Sequence, residues 1–215
     1  MTITKLNYTG QDTIPDASLP TIPISKIPTI PISKIPTITG AKMPAGSVIQ
    51  TKHVVMKGIQ RNTTINSYTL ISDGTDSLQL SITPISTSSK ILITSTINSH
   101  THNAQGGGFI VIRGSSYNAS NRVMSPTSFG SRTPTNIGGA WTGDASGDDR
   151  MVMNVSSVLL DSPSTTSATT YGVYCTTTST TQGGTSINAA ATDGDTDNGD
   201  YVRTVSTFTL QEIAG

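Results

Sequence analysis

At 215 residues the chain has room for one sandwich-sized domain with an appendage, and none for a large enzyme. Its 13 Lys plus Arg balance 13 Asp plus Glu, and only 12% of residues are charged, so it lacks the basic surface that nucleic-acid phosphates require. No apolar run approaches bilayer length, which argues against membrane insertion. The opening MTITKLNYTG has no leader pattern and the single Cys175 has no intrachain partner, so synthesis and folding in a cytoplasm are expected.

Residues 1–17 have mixed polarity and no period, and read as an attachment arm. Residues 18–44, SLPTIPISKIPTIPISKIPTITGAKMP, repeat every eight positions: Pro20, Pro28, Pro36 and Pro44 keep step with Lys26, Lys34 and Lys42. Proline fixes φ and removes a donor, so the octad is predicted to be extended and unable to form a continuous ladder. Such a strand alone would expose Ile22, Ile24, Ile27, Ile30, Ile32, Ile35 and Ile38. These isoleucines are therefore expected to meet something else.

From residue 45 to residue 215 the pattern changes to period-two alternation in short runs bounded by Gly, Pro, Asn, Asp and Ser. Eight runs qualify as strands: SVIQTKHVVMK, INSYTLIS, SLQLSIT, KILITSTINSH, GFIVIRG, RMVMNVSSVLLD, TTYGVYCTTT and VRTVSTFTLQEI. They predict an all-β head, an antiparallel sandwich of jelly-roll type. In KILITSTI, Ile91, Ile93, Ser95 and Ile97 share the core face. The same parity groups Met151, Met153 and Val155, then Tyr171, Val173 and Cys175, then Phe208 and Leu210. Residues 114–150 and 182–200 are rich in Gly, Ser, Asn and Asp, and are expected to be displayed loops.

The segments TIPDASLPTIPISKIPT, TGAKMPAGSVIQ, SITPISTSSKILIT, LLDSPSTTSATTYGVY and TVSTFTLQEIAG together resemble structural proteins of tailed bacteriophages of marine and cyanobacterial hosts, in which an extended N-terminal segment precedes a β-sandwich. The resemblance implies a homotrimeric virion fibre on the particle exterior. Its N-terminal arm would attach to other virion proteins, and its head would meet a host-surface glycan or protein. The octad isoleucines would then be trimer or virion contacts. A capsid decoration protein whose arm staples neighbouring capsomers is the alternative. The eight-residue period does not fit the longer repeat of triple β-spiral shafts, so that geometry is not expected.

Within this frame Trp141, the sole tryptophan, lies between glycine-rich stretches, and with Tyr117 and Phe129 it is the expected receptor contact. His100 and His102 form an H-x-H, which in a trimer would gather imidazoles for a structural metal; the competing reading is a pair of solvated histidines. Asp193, Asp195 and Asp197 lie in DGDTDNGD, which lacks the glycine and glutamate of a helix-loop-helix calcium site and reads first as a solvated acidic turn, second as a cation site. No cofactor is expected beyond such an ion. Neither a G-x-S-x-G elbow nor an H-E-x-x-H pair is present, and Asp148 with Asp149 is too little to build a glycosidase, so the chain is not expected to be an enzyme.

Overall fold

The alternation of KILITSTI becomes the centre of the larger of two antiparallel sheets. The structure, a computed structural model, describes residues 40–101, 107–126, 134–137, 152–178, 184–190, 193, 199 and 201–215. The chain divides into two units, Met1–Ile38 and Thr39–Gly215. The attachment arm and all seven octad isoleucines lie outside the described residues.

Ten strands are described: β1 (Val48–Met56), β2 (Gln60–Asn62), β3 (Thr69–Leu70), β4 (Gln79–Ile82), β5 (Lys90–Thr101), β6 (Gly107–Arg113), β7 (Met153–Asp161), β8 (Thr169–Thr177), β9 (Thr185–Ile187) and β10 (Ser206–Ile213). In the larger sheet β5 is flanked by β7 on one side and β10 on the other, and β10 pairs in turn with β1. Near the end of β5, at Ser99 to Thr101, the short β9 is its partner, with β2 beyond it. The smaller sheet is centred on β8, with β6 on one side and β3 and β4 sharing the other. The described fold is thus all-β, antiparallel and sandwich-like.

The facing sides of the sheets supply one core. Ile91, Ile93 and Ile97 of β5 and Phe208 and Leu210 of β10 pack with Phe109 and Val111 of β6 and Tyr171, Val173 and Cys175 of β8. Burial of such side chains is the main favourable term available to a chain with so few charges. It also pushes the Cys175 thiol up to about 12, so the thiol is neutral and protonated at ordinary pH. The parity that turns Leu210 inward turns Glu212 inward as well. Its carboxylate, fully buried, accepts from Gln50 Nε2 at 2.6 Å and from Ile85 N at 2.8 Å.

Several expectations are corrected. Met153 was grouped with the core but is exposed at the start of β7, and Met151 lies outside the described residues. The stretch 182–200 is not wholly a displayed loop, because residues 184–190 are buried and include β9. β2 and β9 were not among the eight expected strands. Each has three residues and takes its ladder from a distant partner, so neither has enough length to show a period.

The compact unit that holds the ten strands spans Thr39–Gly215. In the fading last octad copy, Gly40–Lys42 forms a 3-10 turn closed by Met43 N donating to Gly40 O at 3.1 Å. Gly46 N then donates to Ala214 O, and Ala214 N to Ser47 O, at 2.7 and 2.8 Å. The chain entering β1 is thereby paired with the chain leaving β10.

Candidate functional site: an aromatic and arginine cluster

On β8 the outward residues alternate with the core set, which places Gly172 and Tyr174 on the outer face of the smaller sheet. Register carries this face across to Ile110 and Ile112 of β6, to Leu70 of β3 and to Gln79 of β4. Ile110, Ile112 and Tyr174 form a second buried apolar group, covered by Tyr68, Leu70 and Tyr117. Gly172 keeps this floor open. A Cβ there would stand 3.1 Å from Leu70 Cδ1 and 3.2 Å from both Gln79 Nε2 and Tyr174 Cε2.

The segment after β6 supplies the rest. Gly114, at φ +150, turns the chain, and Asn118 caps a 3-10 turn at Ala119–Asn121 by accepting from Ser120 N at 3.0 Å. The chain then returns alongside β6, with Arg122 bridged to Ile112 and Val123 N donating to Val111 O at 2.9 Å. Alternation along this return sends Val123 into the core and leaves Arg122 on the outer face.

Four side chains meet there. The rings of Tyr68 and Tyr117 stack with centroids 4.3 Å apart and planes 11° from parallel, while Tyr174 lies tilted at 6.2 Å from Tyr117. The Arg122 guanidinium carbon is 5.5 Å from the Tyr68 centroid and 5.7 Å from that of Tyr117, within cation–π range of both. Arg122 Nη2 donates to the Tyr117 hydroxyl, and the Tyr68 hydroxyl donates to Pro134 O at 2.6 Å. Burial holds the Tyr68 phenol above its ordinary value although the Arg122 charge pulls it down. The phenol therefore stays neutral and leaves the guanidinium charge uncancelled.

Of the expected receptor contacts, Tyr117 is in this cluster, half-buried; Phe129 and Trp141 lie outside the described residues. Tyr68 and Arg122 were missed, and nothing local marks them: Tyr68 is one residue before a two-residue strand, and Arg122 sits in a stretch read as loop. His100 is 0% exposed near the end of β5, opposite Ser186 of β9, which overturns the solvated reading for it; His102 lies outside the described residues. Asp193 is buried and paired with Arg203 at 3.2 Å, so it is not part of a solvated acidic turn; Asp195 and Asp197 lie outside the described residues. Among the described residues no three His, Cys, Asp or Glu side chains are grouped to hold an ion.

Two other places are structural in character. The Tyr171 hydroxyl donates to Asp161 Oδ2 at 2.7 Å, and Arg113 Nη1 approaches the same oxygen at 3.2 Å. Burial, then the Asp161 contact, holds the Tyr171 phenol far above its ordinary range, so it acts as a fixed donor to a carboxylate. A pocket between Gly40, Ile49, Ile85 and Ala214 is lined by apolar and hydroxyl side chains, none of them titratable. Comparison with models of known protein families finds no match to the chain, and comparison with curated protein sequences finds none either.

Proposed function

We propose that this chain is a structural protein of a tailed-phage virion, a homotrimeric fibre on the particle exterior that binds the host surface through its head and joins other virion proteins through residues 1–44. The observation that carries the binding role is the Tyr68–Tyr117–Arg122 cluster. Aromatic faces beside a planar cation are the side chains that concentrate binding energy at recognition surfaces. The jelly-roll character of the head belongs to the same reading, and no nucleic acid or catalytic step enters it. Folding would take place in the host cytoplasm before assembly on the particle.

Association with a further chain, which the trimer would supply, is supported by the exposure of Val158 (67%) and Leu160 (43%) on β7, with Met124 (62%) accepting through its sulfur from Leu160 N. Among the described residues β7 has a partner only in β5. An apolar strand edge of this kind invites cover by another chain. Light scattering of the purified full-length chain should give about three times its 22.4 kDa mass. A stable monomer would remove this part of the reading.

Host binding is tested by adsorption. Labelled full-length protein should bind host cells, and Trp141→Ala or Tyr117→Ala should each lower that binding several-fold while leaving particle assembly intact. The decoration reading expects the reverse: deletion of residues 1–44 would weaken capsids against heat, and both substitutions would leave infectivity unchanged. Native protein that does not adsorb to cells would count against the fibre.

A further inference from the structure

We infer that the Tyr68–Tyr117–Arg122 cluster is a subsite for an acidic saccharide, a sugar ring bearing a carboxylate as in a hexuronic acid. The inference rests on the host-binding reading above and names its ligand. Where the structure places Arg113 and Arg203, each faces a carboxylate, Asp161 and Asp193 respectively, at 3.2 Å. Arg122 instead lies against two aromatic rings, with a phenol as the acceptor of Nη2. Its Nε is buried without a hydrogen-bond partner. The buried Nε edge carries a desolvation cost, and a carboxylate would offset it through charge-assisted hydrogen bonds to the Nη groups, the Nε itself being out of a ligand's reach.

The aromatic neighbours decide what kind of carboxylate fits. Tyr68, Tyr117 and Arg122 are each only partly buried, so ring surface and part of the Arg122 side chain are open on the same face. A small anion would use the charge and ignore the rings, whereas a neutral sugar would use the rings and leave the charge unmatched. A sugar ring carrying a carboxylate uses both. Gln79, whose Nε2 reaches Ser115 O at 3.2 Å, adds an amide at the edge of the same face, suited to sugar hydroxyls.

Calorimetric titration of the full-length protein should compare an oligomer of glucuronic acid, a neutral glucose oligomer of the same linkage and inorganic phosphate. The acidic oligomer is expected to bind at least about tenfold tighter than either of the others, and more weakly as salt rises. Arg122→Gln should abolish the preference. Arg122→Lys keeps the charge without the planar fork and should lose several-fold in affinity with an unchanged melting profile, which provides a folded variant if the glutamine does not fold. Equal binding of acidic and neutral oligomers, phosphate binding as tight as the acidic oligomer, or full affinity in Arg122→Lys would each overturn the subsite. Competition on host cells separates the two levels. Native protein that adsorbs but is not displaced by the acidic oligomer overturns the subsite and leaves host binding standing. Protein that binds the oligomer but not the cells does the opposite.

Discussion

Replacing Asn188 with alanine is expected to cost about 3–6 kcal/mol of stability, a large share of the roughly 5–15 kcal/mol that a domain has. Asn188 follows β9, is 0% exposed, and has φ 63, in the left-handed region. Its side-chain amide donates to Met56 O at 3.0 Å and to Gly58 O at 2.9 Å, and its Oδ1 accepts from Ser206 Oγ at 2.7 Å. Its backbone N donates to Asn98 O at 2.8 Å, and its carbonyl accepts from Thr204 N at 3.2 Å. One residue thus ties the end of β1, the last third of β5 and the start of β10 together.

Alanine would leave those buried partners without their bonds and would hold a Cβ-bearing residue in a strained conformation without the local polar compensation asparagine has. Asn188→Gly separates the two causes, because it removes the hydrogen bonds and not the left-handed preference. Urea unfolding should place it between the native chain and the alanine variant. If alanine and glycine were equally harmful, the strain component would be negligible; if neither shifted the midpoint, the network would not hold the head together.

Phe208→Ala is expected to cost about 3–5 kcal/mol. Phe208 is fully buried on β10, with Val54 of β1 opposite it on one side and Ser95 of β5 on the other. Its ring belongs to the core shared with the smaller sheet, and truncation would leave a cavity that two paired neighbours prevent from collapsing. Thr207, one position earlier, points to the opposite face, and Thr207→Ala should change stability by no more than about 1 kcal/mol. Thermal melts of the two variants check the assignment. A larger loss for Thr207 than for Phe208 would mean that β10 has its faces reversed.

The tyrosine and arginine cluster shows how differently the parts of a site can be read. Tyr117 was visible as an aromatic in a polar stretch. Its stacking partner Tyr68 lies 49 positions earlier, and they meet because Leu70 and Ile110 are both registered against Tyr174 on β8. Arg122 joins them only because the chain turns at Gly114 and runs back along β6. A period-two pattern says which side of its own strand a residue occupies, and nothing about which distant strand lies alongside.

The chain's alternating runs determined by themselves that the head is all-β, and which side of β5, β8 and β10 faces inward, since parity is a local property of an extended backbone. The same local rule could not reveal β2 or β9, whose three-residue lengths hold no period, nor the burial of residues 184–190, whose Thr, Ser, Asn and Ala look like surface loop. Asn188 goes inside because tertiary partners satisfy it: its amide nitrogen donates to Met56 and Gly58 and its amide oxygen accepts from Ser206, and nearby Asp193 is likewise buried against Arg203. Burial of a polar residue depends on hydrogen bonds that come from far along the chain, and only the assembled sheets decide whether they are there.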